Sequence, residues 1–199
     1  MPVKNDRQYR SATFQVRAAA EGESEKYIAE GYATTWERYP LYEWGDETIY
    51  EKFDREDFAG VNMDDVIFQY DHQGMVYARM HNDTLQVSTD DHGLKVVADL
   101  SKTADARNMY ENIMSGNVYQ MSWAFTVDKD DFDKDTHTRT IRHIKKMYDV
   151  SAVSIPANPS TEISIAQQRI QGAMEELRQE LVERERKIKT LKILAEVYK

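Results

Sequence analysis

The chain has no cysteine among its 199 residues. That absence excludes a disulfide framework, a thiolate zinc site and a cysteine nucleophile together, and it permits a reducing compartment. No run approaches the roughly 18 apolar residues that a membrane helix needs. Residues 1–10 are polar with no apolar stretch behind them, so neither a membrane span nor a cleavable secretion signal is expected. Apolar residues are scarce, at 41% against about 45–50% in an average domain, while charged residues reach 31%. One modest core with much solvated surface follows, and the length suits one domain with an appendage. Positive charge is also in short supply. The net charge is −9: residues 1–166 hold 18 Lys+Arg against 29 Asp+Glu, and residues 167–199 hold 8 against 6. A body carrying −11 is repelled by phosphate backbones, which disfavours nucleic-acid binding.

What is present reads mostly as strand. Residues 11–17 and 27–36 predict two strands around a turn at 18–24, a hairpin. Residues 54–58 predict a helical turn with Asp54 as its N-cap, and residues 66–72 a buried strand. Short β-rich runs follow at 76–80, 85–89 and 94–100, each bounded by turn residues, a spacing that argues for a closed or strongly curved antiparallel sheet. Residues 103–114 carry Ala106, Met109, Tyr110 and Ile113 at helical spacing and stop at Ser115-Gly116, which predicts one amphipathic helix. Strands at 118–127 and 139–155 are separated by a charged, exposed loop at 128–137. The expected fold is therefore a β-rich α+β one, a closed antiparallel β-barrel flanked by helices over residues 1–159. Beyond Pro156 and Pro159, residues 160–199 place Ile170, Met174, Leu177, Leu181, Ile188, Leu191, Ala195 and Tyr198 in a 4-3 spacing interrupted by Arg184. That predicts a long coiled-coil-type helix, either a solvated one laid back on its own barrel or, the sharper reading, one suited to a partner or to self-association.

Three positions stand out chemically. Read as the end of a strand, His72 shares a face with Val66, Phe68 and Tyr70, and partial desolvation there favours the uncharged ring that a general base needs. In the strand at 118–127 one face carries Tyr119, Met121, Trp123, Phe125 and Val127; the other carries Val118, Gln120, Ser122, Ala124 and Thr126. The bulky face should be core, leaving the small face room for a ligand and Ser122 as a candidate nucleophile. Asp149 lies in a β-rich run where a carboxylate is costly to bury without a partner. It could orient an imidazole, or pair with Arg142 or Lys146. His81, His92, His137 and His143 read as surface or turn residues, and no histidine spacing is that of a helical metal pair.

The succession Glu30-Gly31-Tyr32-Ala33, then Asp71-His72, then Gly116-Asn117-Val118-Tyr119-Gln120-Met121-Ser122-Trp123-Ala124-Phe125, then Tyr148-Asp149-Val150-Ser151-Ala152-Val153-Ser154-Ile155-Pro156-Ala157-Asn158-Pro159 resembles the prohead (capsid maturation) serine proteases of tailed bacteriophages, relatives in fold of the herpesvirus assemblin proteases. The likeness covers about residues 11–160 and departs from the family's usual residues at Trp123 and at Asp149, where Glu is common. It implies a serine endopeptidase with Ser122 as nucleophile, His72 as base and Asp149 as the third member, needing no metal or organic cofactor. The implied substrates and partners are scaffold protein and the N-terminal scaffold-like extension of the major capsid protein. The implied place of action is the host cytoplasm, inside the prohead, with no nucleic-acid or membrane partner. Self-cleavage is implied as well, with the 128–137 loop and the 160–168 hinge as exposed candidates. The rival readings are a non-enzymatic capsid scaffold and a histidine-bound metal hydrolase.

Overall fold

A computed structural model describes residues 7–16, 27–154 and 165–197. The elements run β1 (Gln8–Val16), β2 (Ile28–Thr35), β3 (Tyr39–Trp44), β4 (Glu47–Lys52), β5 (Ile67–Tyr70), β6 (Gln73–Arg79), β7 (Leu85–Thr89), β8 (Gly93–Asp99), α1 (Ala104–Met114), β9 (Gln120–Asp133), β10 (Thr138–Val153) and α2 (Ile165–Val197), with short 3-10 turns at Arg55–Phe58 and Met80–Asn82. The predicted turn at 18–24 and the rigid exit at 156–159 lie outside the described residues.

The strand order is β3-β4-β10-β9-β1-β2-β8-β7, with β5 on β10 and β6 on β5. β10 is the hub. One of its edges pairs antiparallel with β9 over nearly its whole length. Its other edge takes β4 at Thr138–Thr140 and β5 at Asp149–Ala152, both parallel. The closed antiparallel barrel expected from the sequence is thus not formed. The sheet is mixed and does not close, and among the described residues β3, β6 and β7 each pair along one edge only. Closure would need the outer strands to meet, whereas here β4 and β5 follow one another along one edge of β10, with Asn62 bridging Lys146 between them, and their parallel pairing requires a long return of the chain that a series of hairpins does not.

The β3–β4 hairpin, turned at Gly45 with φ +64, is a further departure, since residues 39–52 carry no strand expectation above. A glycine at the first of two loop positions was its legible sign. The charged loop at 128–137 also shrinks: β9 runs on to Asp133 and β10 starts at Thr138. Helix α1 forms as its pattern predicts, with Thr103 Oγ1 accepting from the Ala106 N–H at 3.1 Å and Gly116 at φ +77 beyond its end. Gly93 is required by close approach, because a Cβ there would lie 2.1 Å from the Thr34 carbonyl oxygen on β2.

The core sits under the bulky face of β9. Met121, Trp123 and Phe125 are fully buried, and Trp123 stacks on Phe125 with centroids 4.0 Å apart beside Phe53 and Phe58. Tyr119, expected on that face, precedes the strand and is 57% exposed. A smaller cluster of Leu41, Tyr42 and Ile49 is completed by Met174 of α2. Arg178 of the same helix lies over Trp44 at 4.9 Å, and Lys134 reaches Glu176 at 3.6 Å. Farther along α2, Leu181, Val182 and Ile188 are exposed. A helix of 33 residues is about 50 Å long, so only its first part is anchored by these contacts.

One buried ionic node ties β1, β4 and β10 together. Arg10 donates to both oxygens of Glu51, at 2.5 and 2.7 Å; Arg139 donates to Glu51 at 2.8 Å and to Asp130 at 2.7 Å; the Tyr39 hydroxyl donates to Glu51 at 2.5 Å. Burial alone would raise the Glu51 carboxyl, but the Arg10 and Arg139 guanidiniums with Tyr39 outweigh it and hold the group down at about 2. A depressed folded-state value stabilises the fold above the ordinary value of 4.5 and loses that contribution as pH falls from there to about 2. The contribution is about 3 kcal/mol. Glu51→Gln should lower the unfolding free energy at pH 7 by about 3–5 kcal/mol, by leaving two buried cations short of a partner. It should also flatten the decline between pH 4.5 and pH 2, read by urea unfolding at a series of pH values.

Candidate active site

Four neighbouring strands build one face. In register, Tyr9 of β1, Ala124 of β9, Asp149 of β10 and Ile67 of β5 form one row; Ser11, Ser122, Ser151 and Gln69 form the next. Residues opposite one another across a ladder share a face, so Ser122, Ala124, Asp149 and Ser151 look the same way and Trp123, Val150 and Phe68 the other.

Two local irregularities put the acid and the imidazole on that face. The predicted strand at 66–72 ends at Tyr70. Asp71 and His72 are the two loop residues between the paired Tyr70 and Gln73, with φ +47 and +57. Two successive positive φ values are the mark of a tight hairpin turn, and Asp and His are among the non-glycine residues that tolerate them. Strand alternation would have put His72 with Phe68 on the core side. The turn instead lifts the ring over to Asp149 and Ser151. Asp149 owes its side to a β-bulge: Met147 pairs with Phe125 and Asp149 with Ala124, so Tyr148 is an extra residue. Without it, Asp149 would share the core face of Met147, since one inserted residue reverses facing.

The resulting geometry is close. His72 Nδ1 lies 2.6 Å from Asp149 Oδ1, and the aspartate is 2% exposed. A carboxylate oxygen accepts, so in the neutral ring the tautomer that fits has the proton on Nδ1 and the lone pair on Nε2. The Tyr9 ring meets the imidazole edge-on at 4.5 Å. Asp149 pairs with His72 rather than with Arg142 or Lys146; Arg142 is drawn to Asp131 and Asp54. His72 Nε2 and Ser122 Oγ are both buried with no hydrogen-bond partner, as are Tyr42 Oη, Trp123 Nε1 and Thr126 Oγ1; of these, Ser122 and His72 are the two on the face of Asp149 whose chemistry pairs a hydroxyl with a ring nitrogen. Ser122 is fully buried, so the small face is not the open floor that its residue sizes suggest; it is covered.

Sequence reasoning missed Ser151 and Tyr9. Ser151 follows Asp149 by two residues and so shares its face, a sign available once Asp149 is singled out. Tyr9 enters through the β1–β9 register, which no local pattern reveals. The remaining histidines lie elsewhere: His92 against Tyr32, His137 beside Glu47 and His143 beside Asp128. Among the described residues no three His, Asp or Glu side chains gather as a metal site would require, and no helix is long and apolar enough to cross a membrane.

The sequence pattern of one protein family, described as caudovirus prohead serine protease, matches residues 12–176. No curated protein and no solved structure matches the chain. The family match spans the serine, histidine and aspartate described above and continues into the anchored start of α2. By that match, over most of its length, the chain belongs to the caudovirus prohead serine protease family.

Proposed function

We propose that this member of the family is an endopeptidase with Ser122 as nucleophile, His72 as general base and Asp149 as the group that orients the base. The single observation that carries the reading is the His72–Asp149 pair at 2.6 Å, its aspartate buried, set on the same sheet face as an unpartnered serine hydroxyl. In mechanism, the Ser122 hydroxyl attacks the scissile carbonyl carbon as its proton passes to His72 Nε2. Asp149 holds the imidazole through Nδ1–H and stabilises it once protonated. The imidazolium then gives its proton to the leaving amine, and water, activated by the same ring, hydrolyses the acyl-enzyme. A buried nucleophile requires that the cover over this face shift when an extended peptide enters.

The substrates in this reading are scaffold protein and the scaffold-like N-terminal extension of the major capsid protein, cut inside the prohead. Self-cleavage belongs to the same proposal. The exposed end of the β9–β10 hairpin, residues 134–137, offers one point; of the 160–168 hinge, residues 165–168 are in α2 and the remainder lies outside the described residues. The division into a protease body, residues 1–159, and a helix, residues 160–199, is likewise proposed, with Met174 and Arg178 as the join. Self-association of that helix is supported by Leu181 and Ile188, exposed and one heptad apart.

A fluorophosphonate probe tests the chemistry, since only an activated hydroxyl is labelled. Ser122→Ala should abolish labelling and proteolysis while changing stability by no more than about 1 kcal/mol; labelling that persists in a folded Ser122→Ala protein would overturn the assignment and leave the non-enzymatic scaffold reading in its place. His72→Gln should be as damaging as loss of the serine, whereas Asp149→Asn should retain more activity, since orienting the ring is only part of the effect. Peptide hydrolysis rates measured at equal folded fraction check this order, and wild-type turnover by Asp149→Asn would remove it from the unit. For the helix, Leu181→Asp combined with Ile188→Asp should halve the mass or more by light scattering without altering labelling. Equal masses for mutant and wild type would rule out self-association through this stripe.

A further inference from the structure

The assignment of Ser122, His72 and Asp149 leaves one buried hydroxyl of this face unexplained. Ser151 is fully buried and makes three contacts with the other members. Its Oγ is 2.9 Å from Asp149 Oδ1, 3.1 Å from the backbone nitrogen of His72 and 3.2 Å from His72 Nδ1. The donors and acceptors can be fully assigned. Asp149 Oδ1 accepts, so it receives the hydroxyl hydrogen; the Oγ lone pair then accepts the His72 backbone N–H. The third contact is the consequence of both groups converging on one aspartate oxygen, because the Nδ1 proton is already directed at Oδ1 from 2.6 Å. Ser151 is therefore not read as a second nucleophile: its hydroxyl hydrogen is directed at the carboxylate that serves the ring, and the ring nitrogen beside it is the one that carries a proton.

Resting on the reading of Ser122, His72 and Asp149 as one reacting unit, we infer that Ser151 is a positioning residue that fixes both the base and its acid through a single oxygen. The turn that carries His72 needs such a hold. Both of its residues are left-handed without being glycine, a conformation that persists only where the surroundings determine it. The end of β10 and the residue just past it supply that hold at three points. The Ser151 hydroxyl takes the His72 N–H; the Ala152 carbonyl takes the Asp71 N–H at 2.9 Å; and the Asp71 carboxylate accepts from the Ser154 N–H at 2.9 Å and its hydroxyl. Of these, Ser151 alone also touches the aspartate that orients the ring. Without it the turn could stay attached through Ala152 and Ser154, but His72 would lose its backbone tether and Asp149 one of the two donors that aim it.

The test measures fluorophosphonate inactivation of the full chain, with the labelled residue located by mass spectrometry. Ser151→Ala should lower the maximal inactivation rate on the order of 100-fold, as a misplaced base does, with the half-saturating probe concentration unchanged. It should also broaden or remove the far-downfield proton resonance of His72 Nδ1–H, which a purely structural loss would leave in the folded fraction. Ser151→Thr, which keeps the hydroxyl, should restore both. Ser151→Cys, nearly the same size but a weak hydrogen-bonding group, should behave as the alanine variant and serves in its place if that variant does not fold. Wild-type rates in the alanine or cysteine variant, with Ser122→Ala unlabelled, would overturn the role of Ser151 and leave the reacting unit standing. A label found on Ser151 in the wild type, or no labelling at all, would overturn the reading of the unit itself.

Discussion

Which side of a sheet a residue faces is a binary matter, and the site depends on two reversals of it. A regular β5 would point position 72 into the core with Phe68, and a regular β10 would point position 149 there with Met147. The Asp71-His72 turn undoes the first and the extra residue Tyr148 undoes the second. Both corrections occur where β10 and β5 run in parallel, so the acid and the imidazole are delivered from neighbouring strand ends onto the face that already holds Ser122. Neither irregularity is useful alone. Each would bury a polar group without its partner, which costs more than the group contributes when paired.

Two buried carboxylates illustrate how environment separates structural from chemical roles. Glu51 is met by Arg10, Arg139 and Tyr39, all donors of fixed character, and is held far below the range in which it would take a proton. It is locked, and it joins three strands. Asp149 is met by a hydroxyl and by an imidazole whose far nitrogen has no partner. Its neighbour can gain and lose a proton while remaining bonded to it, the property that the proposed general base would require of its support.

How much of this was legible differs by the range of the interaction. Helix α1, with Thr103 and Gly116 at its ends, and most of the strands follow from spacing and turn residues within a few positions. The serine, histidine and aspartate were marked by residue type and by their surrounding motifs. The side on which His72 lies was misread, because alternation was carried two residues past Tyr70 into what is a turn. Asp-His before Gln-Gly was the available warning. The mixed, open sheet was hidden for another reason. Parallel pairing of β4 and β5 with β10 joins segments distant in sequence, and such pairing leaves no periodic mark on either partner. The barrel expectation rests on the even spacing of short strands, which says nothing about the order in which distant strands pair.

The topology also sets when the His72–Asp149 pair can form during the chain's own synthesis. The imidazole lies in a local hairpin, β5–β6, but its acid arrives only with the last strand, and that strand must enter between β9 and the β4–β5 segment. Contacts of such long sequence separation form late, after the loop-closure entropy has been met. A ribosome-bound chain lacking residues beyond 148 has the serine strand and the histidine hairpin but no oriented ring between them. The order of the strands thereby delays the appearance of the His72–Asp149 pair until nearly the whole sheet has been translated.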